Sequence, residues 1–111
     1  IDAEVIDLRS LDRAGLDWET IGASVRKTNN VVVLEQGPLT VSYGAMVTDE
    51  LQRRFFDYLD QPVKRIHGGE SSPSVSKVLE RAAFVGIEEI RAGYAQMLAD
   101  SGRSLSLVKA A

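Results

Sequence analysis

The amino-acid sequence predicts an α/β domain, a three-layer α/β/α sandwich around a mostly parallel sheet. Three observations carry that expectation. Val31-Val32-Val33-Leu34 is an unbroken apolar, β-branched run of the kind found in a strand covered on both faces. Strand-like and helix-like segments alternate along the chain, which favours parallel strands joined by helical crossovers. Pro62 interrupts a long helical pattern, and a second short strand-like segment follows it at once.

Taken in order, Ala3-Glu4-Val5-Ile6-Asp7-Leu8 mixes β-branched with polar residues and is expected as the first strand. Asp17 offers an N-cap for a helix whose apolar positions Trp18, Ile21 and Val25 recur at helical spacing, and which stops near Thr28-Asn29. The strongest strand covers residues 30–35. Gln36-Gly37-Pro38-Leu39-Thr40 breaks the pattern, and after Ser42-Tyr43-Gly44 a long helix places Val47, Leu51, Phe55 and Tyr58 along one stripe. Val63-Lys64-Arg65-Ile66-His67 then reads as a short strand entered through Pro62. A loop containing Gly68-Gly69 and Ser71-Ser72-Pro73-Ser74 leads to a short helix over residues 76–83. Ile87, Ile90, Tyr94 and Met97 or Leu98 mark a final amphipathic helix, with Glu88 and Glu89 suiting its positive N-terminal end. The domain is expected over residues 1–100, with a loosely ordered tail over 101–111. Three convincing strands are few for such a sheet, so the domain is expected to be incomplete on its N-terminal side.

Composition narrows the function classes. A chain of 111 residues is large enough for one core but not two, and 44% hydrophobic with 26% charged residues is ordinary for a folded, cytosolic type of protein. A net charge of −3 lacks the cationic excess that phosphate-backbone binding uses, so nucleic acid is not an expected partner. No apolar run approaches the roughly 20 residues of a spanning helix, and no cationic and apolar signal opens the chain, so no membrane role is expected. The absence of cysteine excludes thiolate nucleophiles, zinc-thiolate sites and disulfides.

Candidate chemical residues are few. Glu35, Asp60 and Glu70 each follow or flank a strand, and open α/β sheets place ligands at the carboxyl ends of parallel strands. Structural hydrogen bonding is nevertheless the expected role of Glu35, because acid–base work needs a shifted pKa and a positioned partner. His67 is the single histidine, which excludes paired-imidazole sites and favours a hydrogen-bonding role at a strand end. Gly68-Gly69-Glu70-Ser71-Ser72 matches no phosphate-loop pattern and has no lysine placed to reach a phosphate. Arg53-Arg54 and Lys64-Arg65 are interleaved with acids and read as solvated faces or ion-pair partners. With no G-x-S-x-G either, the residues alone point to a fold and to no reaction.

Several runs taken together resemble one family. Glu4-Val5-Ile6-Asp7-Leu8-Arg9-Ser10-Leu11, with Thr20-Ile21 and Ser24-Val25-Arg26-Lys27-Thr28, is similar to the E-V-I-D-L-R-T-L and T-I-x-x-S-V-x-K-T runs of the β subunit of thiamin diphosphate-dependent 2-oxo acid dehydrogenases. The likeness continues through Val31-Val32-Val33-Leu34-Glu35-Gln36-Gly37, Tyr43-Gly44-Ala45 and Phe56-Asp57-Tyr58-Leu59-Asp60-Gln61-Pro62-Val63, and Lys77, Leu79-Glu80 and Glu88-Glu89-Ile90 keep the order and spacing. It covers about residues 3–98 and falls in that subunit's transketolase C-terminal-like domain. Many moderately specific motifs in one register weigh more than any single pattern. Two departures stand out: the family's G-A-D-V-P-M-P-Y loop becomes Gly68-Gly69-Glu70-Ser71-Ser72-Pro73-Ser74-Val75, and Val85-Gly86 replaces a P-S before the last helix.

The resemblance implies a parent enzyme that pairs α and β subunits as an α2β2 tetramer, decarboxylates a 2-oxo acid (or acts on acetoin) and passes the acyl group to lipoamide. It implies thiamin diphosphate and magnesium in that enzyme, gripped by the α subunit and the β subunit's N-terminal domain, and not bound by this segment. No catalytic, cofactor or metal residue is therefore expected here. Asp60, matching the acid of the family's L-D-x-P turn, is expected to dock basic residues of the lipoyl acyltransferase's subunit-binding domain. The family's domain carries a further strand and helix ahead of the position of Ile1, and its compartment here would be the bacterial cytoplasm. Substrate choice among pyruvate, acetoin and branched-chain 2-oxo acids lies outside the segment. Alternatives are the C-terminal domain of transketolase or deoxyxylulose-phosphate synthase, a stand-alone flavodoxin-like binding module, and a purely structural interaction domain.

Overall fold

The computed structural model of the protein describes residues 2–70, 72 and 74–102. A short 3-10 turn at Arg13–Gly15 precedes helix α1, Trp18–Thr28. Asp17 starts α1: its Oδ1 accepts from the Thr20 N–H at 3.0 Å, and the helix ends on Asn29, left-handed at φ 58°, with its N–H on the Val25 carbonyl. Strand β1, Val32–Leu34, leads through a loop to helix α2, Tyr43–Phe55, which tightens into a 3-10 turn at Phe56–Tyr58. Pro62 closes that segment, and β2, Lys64–Ile66, follows. Helices α3, Lys77–Ala83, and α4, Ile87–Asp100, complete the described elements.

The two strands pair in parallel, Val32 opposite Lys64 and Leu34 opposite Ile66, with α2 as the crossover between them. Side-chain alternation assigns the layers. Val31, Val33 and Val63 pack against the core formed by Leu16, Ile21, Val25, Val47, Leu51 and Phe55, so this face of the sheet carries α1 and α2. Ile66 points to the opposite face, where Gly93 of α4 lies so close that an added Cβ would come within 2.7 Å of its side chain. Helices on both faces of a parallel pair make the α/β/α arrangement.

Three expectations are corrected in detail. The segment over residues 3–8 forms no strand: the sheet holds two strands among the described residues, and the segment pairs with neither, with Val5 91% exposed. Between it and β1 runs a groove of about 640 Å³, lined from both faces by Val33, Val47, Leu51, Ile66, Tyr94 and Leu98 among others. Tyr58 leaves the apolar stripe of α2 because the chain has by then tightened to 3-10 pitch, and Ile87 stands exposed in the first turn of α4. The tail expected over 101–111 lies outside the described residues from 103 onward.

Candidate functional site

Parallel strands give the sheet two chemically different ends. At the carboxyl end, Glu35 follows β1 and Arg65 sits in β2, on the face that carries α2. Ser42 occupies the N-cap position of α2 without capping it; its hydroxyl instead donates to Glu35 Oε1 at 2.7 Å. Glu35 does the capping: Oε2 accepts from the Gly44 N–H at 2.8 Å, and Oε1 also receives Arg65 Nη2 at 2.8 Å. Arg65 holds the Leu39 carbonyl through Nη1 at 2.8 Å, tying the loop before α2 to the sheet. Both partners are largely covered, with side chains 15% and 17% exposed. Burial raises the carboxyl pKa, but the bonds from Ser42, Arg65 and Gly44 outweigh it and hold Glu35 below the usual glutamate range. A carboxylate so held braces the start of the helix.

The neighbouring glycine loop is equally committed. The Gly68 N–H donates to the Gly37 carbonyl at 3.0 Å and the Gly69 N–H to Ala83 at 2.7 Å, so neither is free to cradle an anion. Gly68 is required by space, since a Cβ would lie 2.6 Å from the Gln36 carbonyl oxygen. Half-buried His67 places Nδ1 2.7 Å from the Gly68 carbonyl, which assigns the proton to Nδ1. Glu70 is exposed in the loop beyond. Gln36 clamps the entry to α4 from 49 residues away: its Nε2 donates to the Val85 carbonyl and its Oε1 accepts from the Val85 N–H, each at 2.9 Å. Among the described residues, no three His, Asp or Glu side chains converge as metal ligands.

Asp60 lies at the other, amino end of the strands, apart from Glu35, His67 and Glu70. Its N–H donates to the Asn29 carbonyl at 2.9 Å, while its exposed carboxylate receives Asn30 Nδ2 at 3.3 Å on Oδ2. Gln61 Nε2 donates to Asn30 Oδ1 at 2.5 Å and to the Met97 carbonyl of α4 at 3.1 Å. Asn29 Nδ2 reaches the Tyr58 carbonyl at 2.7 Å. The turn is therefore pinned to the end of α1 and to α4, and the Asp60 charge has no ion-pair partner among the described residues. Close by in sequence, Phe56 is 70% exposed.

The chain is similar to known proteins over most of its length. Residues 1–90 match the family described as transketolase, C-terminal domain. Over 90 residues the chain is 44% identical to the pyruvate dehydrogenase E1 component subunit beta-1, mitochondrial, of Oryza sativa subsp. japonica, covering 81% of this chain and 24% of that protein. It is 46% identical over 68 residues to the pyruvate dehydrogenase E1 component subunit beta of Rickettsia conorii, covering 61% and 20%. Over 65 residues it is 46% identical to the 3-methyl-2-oxobutanoate dehydrogenase subunit beta of Mycobacterium tuberculosis, covering 59% and 18%. The chain spans about a quarter, or less, of the length of these relatives.

Proposed function

The chain belongs to the transketolase C-terminal domain family, and from that membership we propose that it is the C-terminal domain of the β subunit of a thiamin diphosphate-dependent 2-oxo acid dehydrogenase. The observation that carries this reading is the family match over residues 1–90 together with similarity, over 90 and 65 residues, to β subunits of two such enzymes, one named for pyruvate and one for 3-methyl-2-oxobutanoate. In this reading the domain, residues 1–100, contributes subunit assembly in an α2β2 tetramer and docks the lipoyl acyltransferase. The parent enzyme decarboxylates a 2-oxo acid and transfers the acyl group to lipoamide in the bacterial cytoplasm. Thiamin diphosphate and magnesium are held by the α subunit and the rest of the β subunit, and this segment by itself turns nothing over.

Asp60 is the docking residue in this proposal. A carboxylate that is exposed, anchored at one oxygen and free of any described cation fits a guanidinium or ammonium group on the partner. The test is a titration of the acyltransferase's subunit-binding domain into the assembled α–β enzyme. Asp60→Asn should weaken binding by about tenfold or more and flatten its dependence on ionic strength, as expected for a charge pair at an interface. Equal affinity of the two proteins would remove Asp60 from the interface.

A further inference from the structure

Resting on the docking reading of Asp60, we propose that Asn30 and Gln61 are positioning residues that set the orientation of its carboxylate for a cationic partner. The geometry is a directional relay. The Met97 carbonyl can only accept a hydrogen bond, so Gln61 must present its NH₂ group to it. The second hydrogen of that NH₂ group then points to Asn30, which must answer with Oδ1. Asn30 is thereby left with its NH₂ group toward the Asp60 carboxylate and the Thr28 carbonyl, both acceptors. Each amide has one workable orientation, and the polarity of a backbone carbonyl in α4 is transmitted to Asp60 Oδ2.

The consequence is preorganisation. The Asp60 backbone is pinned through its N–H to Asn29 and one carboxylate oxygen is occupied by Asn30, while Oδ1 accepts no described hydrogen bond and remains for the partner. Fixing a rotamer before association lowers the ordering cost of binding without adding a contact. Neither Asn30 nor Gln61 carries a charge, so neither attracts a cation by itself; they act through Asp60.

The experiment is a double-substitution cycle on the assembled α–β enzyme, read by calorimetric titration with the acyltransferase's subunit-binding domain. Asn30→Ala should weaken binding about three- to tenfold, the worth of one hydrogen bond, and should have no effect on binding in the Asp60→Asn background. Gln61→Glu gives a second reading of opposite sign to simple electrostatics. An added negative charge beside Asp60 by itself tightens a cationic partner. The relay predicts weaker binding, because a carboxylate at position 61 forces Asn30 to turn Oδ1 toward Asp60. Tighter binding by Gln61→Glu, or equal effects of Asn30→Ala with and without Asp60, would overturn the relay. If Asp60→Asn itself binds like wild type, the docking reading fails; if Asp60→Asn weakens binding while Asn30→Ala does not, docking stands and the relay falls.

Discussion

Replacing Glu35 by glutamine keeps the size of the side chain but removes the charge that faces Arg65 and the start of α2. Leaving a largely covered guanidinium without its counter-ion should cost about 2 kcal/mol of stability, measured by urea unfolding. The pH dependence follows in sign. Glu35 has a folded pKa below the ordinary value of 4.5, so its stabilising contribution is fully present above that value and is lost as the pH falls through the depressed one. Glu35→Gln should therefore flatten the loss of stability on the acid side of pH 4.5; an unchanged acid limb would mean that the pair is not what holds this end together. The place of Glu35 behind an apolar strand marked it as a candidate without giving its role, and structural hydrogen bonding was expected only because acid–base work asks for more. Its partner was hidden, because Lys64-Arg65 reads as a solvated basic pair. Strand alternation held the missing signal: Arg65 lies two residues after Val63 and so shares its inward face. Nothing local announces the clamp of Gln36 on Val85, which joins residues 49 positions apart.

Among the elements, α1 shows how packing overrides propensity. Gly22 lies within the helix, where alanine is ordinarily better by about 1 kcal/mol. A Cβ there would sit 2.7 Å from the Phe55 ring, and overpacking of this kind costs about 1–3 kcal/mol. Gly22→Ala should thus destabilise the protein in a urea titration, and Phe55→Leu should be better tolerated in the Gly22→Ala background than alone. The helices were readable because their signals are local: Asp17 as a cap, Ile21 and Val25 on one stripe, Pro62 as a stop. Residues 3–8 have the composition of a strand, yet a strand exists only by pairing, and the groove that separates them from β1 leaves them paired with no described strand. Local preference was legible there, and the ladder was not.

At the scale of the molecule, a core on the α1 and α2 face of the sheet and the single polarity of the two strands organise the described residues. Leu51, 2% exposed, sits at the centre of the cluster that joins α1, α2 and the inner face of the sheet, and Leu51→Ala should cost about 2–5 kcal/mol with a cooperative transition retained. Parallel pairing separates the sheet into a carboxyl end, where Glu35 and Arg65 brace α2, and an amino end, where Asp60 is presented. The usual ligand crevice of such sheets lies at the carboxyl end, where here the Glu35 carboxylate and the Gly68 and Gly69 N–H groups are taken up by structural bonds, while Arg65 Nε and the Tyr43 hydroxyl are buried without a partner among the described residues. Asp60 could be singled out only through the likeness of a whole turn, since an exposed aspartate after a helix carries no signature of its own. The most direct test of the central claim is thiamin diphosphate-dependent decarboxylation by the full-length polypeptide carrying this domain, assembled with its α subunit and offered pyruvate, branched-chain 2-oxo acids and acetoin. Cofactor-dependent turnover of at least one of them by the α–β assembly is the predicted result, and a polypeptide that takes no α partner and turns over none of them would contradict the account.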